Sequence, residues 1–340
     1  MHETDSVRNC AQWLALASIA LLMADCASVG TAPGNAAPPA AVLATIPVGK
    51  GPTYLAMAPD GSRVYAASDG SLAVIETAGN TVMAKLSIDA NPTGIAVTPD
   101  GKRLLITNLF SVRLTVLDTA ANTIGTPITL FGERFTGGFG RIAVLPDGSA
   151  AWVANQDNQV LAIVPLGGAG AVSRDIDMRP VDIAFSPDGR LAYVAGCRYE
   201  CVPGTVEIIS TTQGFTQGYI DVGPSPYRIA MAPDGAHFYT TNLGDSSLSV
   251  VDAPSRSAVA TVHVGVEPTG LAVARDGSAV YVASQDLGTV TAIDATTYAV
   301  RNTLRVGERA REVVVTPDGR RLYVSTREAV LAIETRAFMG

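Results

Sequence analysis

Apolar residues along this chain fall into short runs, and one turn signal interrupts them at a regular interval. In "LAMAPDGSRVYAAS", Leu55 to Ser68, an apolar run meets Pro59-Asp60-Gly61 and a second run follows at once. Short runs rich in Val, Ile, Tyr and Thr, bounded by Pro, Asp and Gly, predict strands joined by a hairpin. Proline presets φ at the first turn position, aspartate suits the second, and glycine takes the left-handed conformation that closes the turn. The unit returns as "IAVTPDGKRLLITN", "IAVLPDGSAAWVAN", "IAFSPDGRLAYVAG", "IAMAPDGAHFYTTN", "LAVARDGSAVYVAS" and "VVVTPDGRRLYVST".

The turn aspartates are Asp60, Asp100, Asp147, Asp188, Asp234, Asp276 and Asp318, spaced by 40, 47, 41, 46, 42 and 42 residues. A period in the low forties that carries several short β runs marks a propeller blade. Each unit reads as four strands, for example "GIAVT", "RLLIT", "RLTVLD" and, from the preceding unit, "MAKLSID". The runs are almost continuously apolar, as expected where neighbouring sheets cover both faces of each blade. The innermost run carries alanine at Ala56, Ala96, Ala143, Ala184, Ala230 and Ala272, where blades converge on an axis, and Val314 in the seventh unit. Before the first turn lies one extra run, "VLATIPV", and after the last turn only "RLYVST" and "AVLAIET" follow. The fold predicted is therefore all-β: a seven-bladed β-propeller of four-stranded blades, closed by the N-terminal strand completing the last blade.

Composition supports that picture and narrows the function. The chain has 340 residues, 47% of them hydrophobic and 16% charged, enough to bury a large core; its 33 glycines and 20 prolines match the many turns. A net charge of −7 argues against a protein built mainly to grip nucleic acid, though not against a local basic patch, so nucleic acid is not an expected partner. Three histidines thin the list of enzyme classes.

The N-terminus reads as a leader. Trp13 to Met23 is an apolar run too short to span a bilayer but suited to a signal-peptide core. Residues 1–26 are read as that signal peptide, 27–41 ("ASVGTAPGNAAPPAA") as a tether and 42–340 as the propeller. The segment ending at Cys26 resembles a bacterial lipoprotein leader with Cys26 as the lipidated residue, though Asp25 and Met23 depart from that pattern; cleavage near Ser28 or Gly30 is the alternative. The expected location is the periplasm or outer cell envelope, with membrane contact only through a lipid anchor and the propeller a monomer. Cys10 and Cys26 belong to the leader, which leaves Cys197 and Cys201 in "CRYEC" as a local disulfide pair.

"VYAAS", "LLITN", "WVAN", "YVAG", "FYTTN", "VYVAS" and "LYVST", with the preceding Pro-Asp-Gly turns, resemble the Tyr-Val-Thr-Asn (YVTN) β-propeller repeat from about Val42 to Thr335. The resemblance implies the fold. It implies little about function, since similar propellers occur in surface-layer proteins, lactonase-like proteins, DNA-binding periplasmic proteins and quinoprotein amine dehydrogenase heavy chains.

Candidate chemistry lies where the repeat stops repeating. The loops entering the inner strands and those following the second strands share one rim; the Pro-Asp-Gly turns and the third-to-fourth turns share the other. Just before each inner strand stand Tyr54, Gly94, Arg141, Asp182, Arg228, Gly270 and Glu312. Tyr54, Arg141, Asp182, Arg228 and Glu312 are the candidate ligand residues. Two arginines suit a carboxylate or phosphate, with Gly94 and Gly270 providing room; salt bridges between neighbouring blades are the competing structural account. The insertions "FGERFTGGFGR" and "GCRYECVPG" decorate the same rim, the first offering Glu133, Arg134, Phe135 and Phe139 as a candidate lid. Asp118, Asp252 and Asp294 end third strands and read as turn caps. No catalytic set, metal site or cofactor is assigned. The expected function is a ligand-binding or protein-interaction scaffold for a small anionic ligand or an envelope protein; a lactonase-like hydrolase at the channel mouth is the alternative.

Overall fold

The computed structural model describes residues 41–49, 51–130 and 139–339. Each of the seven turns, Pro-Asp-Gly in six blades and Arg275-Asp276-Gly277 in blade six, forms the hairpin its residues demand. The seven turn glycines, Gly61 to Gly319, sit at φ between +69° and +75°, a region L side chains seldom enter. Each turn aspartate accepts a hydrogen bond from the backbone N–H two residues on, as from Ser62 to Asp60 (2.9 Å) and from Arg320 to Asp318 (3.0 Å). A second clamp recurs on this edge: the hydroxyls of Thr77 and Thr335, just past their third strands, donate to the Gly61 and Gly319 carbonyls (both 2.7 Å). The Pro-Asp-Gly and third-to-fourth turns therefore lie together, as their shared rim requires.

The strands assemble into seven sheets. Blade one is Tyr54–Met57, Arg63–Ser68, Ser71–Glu76 and Thr81–Ser87. Blades three to six repeat that order from inner strands Phe139–Val144, Arg179–Phe185, Pro226–Met231 and Pro268–Val273. Blade two, whose inner strand is Pro92–Val97, has its outer strand broken into Thr123–Ile124 and Ile128–Thr129. In blade seven, Val313–Val315, Arg321–Ser325 and Ala329–Glu334 are completed by Val42–Pro47, with Ile46 opposite Val330. Each inner strand lies against the next blade's inner strand, and the seventh lies against the first. The ring is closed.

The core is not one mass but seven apolar layers, one in each seam between blades. Tyr65, Leu72 and Val74 of blade one meet Leu104, Ile106 and Leu117 of blade two. Ile46, Val48 and Tyr323 of blade seven meet Leu55 and Val64 of blade one. Burial on both faces explains why the strands read as unbroken apolar runs.

Polar ties cross every seam. Arg321 donates to the Thr77 carbonyl, Arg63 to that of Thr119 and Arg103 to that of Leu166. Arg174 reaches Gly214, Arg256 reaches Gln217, and the Tyr298 hydroxyl lies 3.1 Å from His237 Nε2. Asn302 donates to Ala337 at 3.1 Å. This last tie involves an element the sequence patterns did not single out, a 3₁₀ turn at Thr335–Phe338. It buries Phe338 against Tyr281 of blade six, ring centroids 5.7 Å apart.

Candidate functional site

Four blades deliver charge to one channel mouth, and the backbone explains how. In blades two to six the inner strand starts with a register shift, for example between Pro180 and Asp182 and between Pro226 and Arg228. Such a bulge re-aims the residues at it; Gly94, Asp182, Arg228 and Gly270 directly follow theirs, and Arg141 lies within the Phe139–Ile142 shift of blade three. Proline suits this place because the ladder does not need its missing N–H at a strand's first residue.

The four charged residues form an alternating chain. Arg141 Nη1 is 3.0 Å from Glu312 Oε2; Arg228 Nη2 is 3.0 Å from Glu312 Oε1, and Arg228 Nη1 is 3.1 Å from Asp182 Oδ2. Only the last pair joins neighbouring blades. The two bonds to Glu312 span the mouth, from blades three and five to blade seven, so the bridging is across the channel rather than around it. Asp182 is also held by the Ile229 backbone N–H (3.0 Å). The Glu312 backbone N–H donates to Ser325 Oγ (2.9 Å). Glu312, Asp182 and Arg141 are only 1%, 3% and 7% exposed.

Tyr54 belongs to the same cluster, and so does Tyr227, which sequence reasoning passed over. The Arg141 guanidinium lies over both rings, 5.2 Å from each centroid. Tyr227 occupies the position one before the rim residue, where the other blades carry Thr53, Thr93, Gly140, Val181, Thr269 and Arg311. Being the one aromatic in that column was the signal available. Burial works against the charge on Arg141, but the carboxylate of Glu312, with Tyr227 and Asp182 near it, raises its pKa above the ordinary value. Burial, and next the neighbouring Tyr227, push the Tyr54 phenol up to about 12, so it keeps its proton and can donate.

Gly94 and Gly270 do not leave room for a ligand, contrary to expectation. A Cβ on Gly94 would come within 2.9 Å of Arg141 Cα, and one on Gly270 within 3.0 Å of Glu312 Cα. The space is filled by the next blade's backbone. These glycines seat the residues that carry the charge.

Glu133, Arg134 and Phe135 lie outside the described residues, as does Cys26. Phe139 begins the blade-three inner strand opposite Asn155 instead of sitting in a free loop. In the other insertion Cys197 and Cys201 are joined, sulfurs 2.10 Å apart. That loop holds Tyr199 at 84% exposure, while Arg198 lies 4.2 Å from the Tyr219 centroid and 2.6 Å from Asp177. Asn108 bonds the loop carbonyls of Asp89 and Ala90 (both 3.0 Å), and Asn242 bonds Ser247 and Ser249 (both 2.9 Å). Asp118, Asp252 and Asp294 cap their turns as expected. A cleft of about 460 Å³ opens on the opposite rim between blades one and two, beside Asp60, Arg63, Tyr65, Asp100 and Thr119. Arg63 and one oxygen of each aspartate there are already engaged.

Among solved structures the chain is similar to hydrazine synthase of Kuenenia stuttgartiensis: TM-score 0.74, 18% identity, covering 84% of this chain and 96% of that one. It is also similar to the β-propeller domain of Myceliophteria thermophila Cps50 (Swd1): TM-score 0.73, 12% identity, covering 86% and 99%. The likeness is one of fold. No protein-family model and no curated protein matches the chain.

Proposed function

We propose that the chain is an exported β-propeller of the YVTN-repeat type that serves as a ligand-binding or protein-interaction scaffold at the cell envelope, reading its ligand or partner on the rim that carries the channel mouth. The repeat residues quoted above support the family reading. The leader-like residues 1–26, the tether 27–41 and the joined Cys197–Cys201 pair support export. One observation carries the functional reading: the residues that break the repeat converge, from blades one, three, four, five and seven, on one mouth.

The same geometry favours binding over hydrolysis. A lactonase-like reaction at this mouth needs an acid or base free to move a proton. Asp182 and Glu312 both accept hydrogen bonds from arginine. Thermal-shift screening of the purified protein against small acids, metals and candidate envelope proteins tests the proposal. A ligand or partner should raise the melting temperature, and Arg141→Ala should blunt the rise. A rise that every rim variant shares with the parent would remove the mouth from the function.

A further inference from the structure

The mouth has more hydrogen-bond donors than acceptors. Glu312 uses both oxygens on arginine, and Asp182 Oδ2 takes two bonds. Arg141 has five N–H donors, yet among the described residues only Nη1 finds an acceptor. Arg228 Nε is buried with no partner. The Tyr54 and Tyr227 hydroxyls likewise make no hydrogen bond among the described residues, and both rings pack against the Arg141 guanidinium. Of these donors Arg228 Nε is the one buried without an acceptor, a rare arrangement in folded proteins, while Tyr54 and Tyr227 are half-buried beside the Arg141 guanidinium.

From this surplus we infer that the channel mouth binds a small monocarboxylate, received on the free edge of Arg141 with the Tyr54 and Tyr227 hydroxyls as further donors. The inference rests on the binding reading above and names its ligand class. Most of the Arg141 N–H groups lack an acceptor, and of the two carboxylates only Asp182 Oδ1 accepts no hydrogen bond among the described residues. The Arg141 guanidinium carbon lies 5.2 Å from each tyrosine centroid with Nη1 on Glu312, and two parallel N–H bonds from its remaining nitrogens would match a carboxylate. Charge sets the valence: two arginines and two carboxylates already balance, so one added negative charge is tolerable beside Arg141 and Arg228. A second would face Glu312 and Asp182. The tyrosine rings suit a short apolar tail.

Titration of the full protein with acetate, propionate and inorganic phosphate, followed by ligand-observed NMR and calorimetry, tests it. Propionate should saturate, and phosphate should bind at least tenfold more weakly. Arg141→Lys keeps the charge but removes the two-pronged edge, and should weaken propionate at least tenfold. Tyr54→Phe and Tyr227→Phe keep both rings and should each weaken it several-fold with little change in melting temperature, which guards against a variant that merely misfolds. Asp182→Asn keeps an acceptor for Arg228 while lifting a negative charge, and should tighten binding.

No saturable carboxylate binding, or binding indifferent to Arg141→Lys and both phenylalanine variants, overturns the inference. If carboxylates fail while another ligand from the screen still depends on Arg141, the monocarboxylate assignment falls and the scaffold reading stands. If no ligand of any kind responds to the rim, both fall.

Discussion

Replacing Gly270 by alanine should cost about 1–3 kcal/mol, because the new methyl would meet Arg311 O at 2.8 Å and Glu312 Cα at 3.0 Å and neither backbone can yield. Gly167, with nothing within 4 Å of its would-be Cβ, is the control, and its alanine variant should stay within about 0.5 kcal/mol of the parent. Urea unfolding of the two variants checks the difference. The turn aspartates make a separate residue-scale prediction. The Thr98 hydroxyl and then the Lys102 N–H hold Asp100 below the usual carboxylate pKa; the Ser186 hydroxyl and then the Arg190 N–H do the same for Asp188. A folded-state pKa below the unfolded value means the stabilisation is complete above the unfolded pKa of about 3.9 and is lost as pH falls through the folded one. Asp188→Asn keeps an acceptor without the charge, so its unfolding free energy should fall less than the parent's between pH 7 and pH 3. An identical pH dependence would show that this turn contributes nothing through its ionisation.

At the scale of the element, Val42–Pro47 decides how the ring is closed. It is the outer strand of blade seven, pairing with Ala329–Glu334, and Ile46 and Val48 are 2% and 1% exposed in the seam with blade one. Deleting the chain through Val48 leaves the Ala329–Glu334 edge unpaired and uncovers that seam. The melting temperature should drop by many degrees; a truncated protein that melts like the parent would contradict the pairing. The Cys197–Cys201 loop is a smaller element with a smaller effect. Closing so short a loop is worth about 1–3 kcal/mol, so a Cys197→Ser, Cys201→Ser double variant should lose no more than that. Thiol labelling of the native parent should find neither cysteine free.

For the whole molecule, the C-terminal turn is a second clasp. Phe338 is 1% exposed in the layer between blades six and seven, edge-on to Tyr281, so Phe338→Ala should cost about 3–5 kcal/mol in chemical unfolding. Its pattern, "TRAFMG", has no counterpart in the repeat, so nothing along the chain announced it. The blades themselves were legible. Proline, aspartate and glycine act on their own few bonds, and short apolar runs with a recurring turn are properties of a local stretch, so seven units, four strands apiece and the borrowed outer strand could be counted along the chain. The candidate rim column was legible too, because position within a repeat is also local. Which of its members meet was not. Arg141 pairs with Glu312, 171 residues away and across the axis, while Arg228 bridges two carboxylates at once. Gly94 and Gly270 proved to be seats for the next blade, and Tyr227 joined from a column that is otherwise mostly small. The sequence by itself determined what lies along each strand and how often the strand recurs. Only the closed ring decided which side chains face one another over the channel, because that depends on the angle through which seven packed seams turn the chain, and no single repeat contains it.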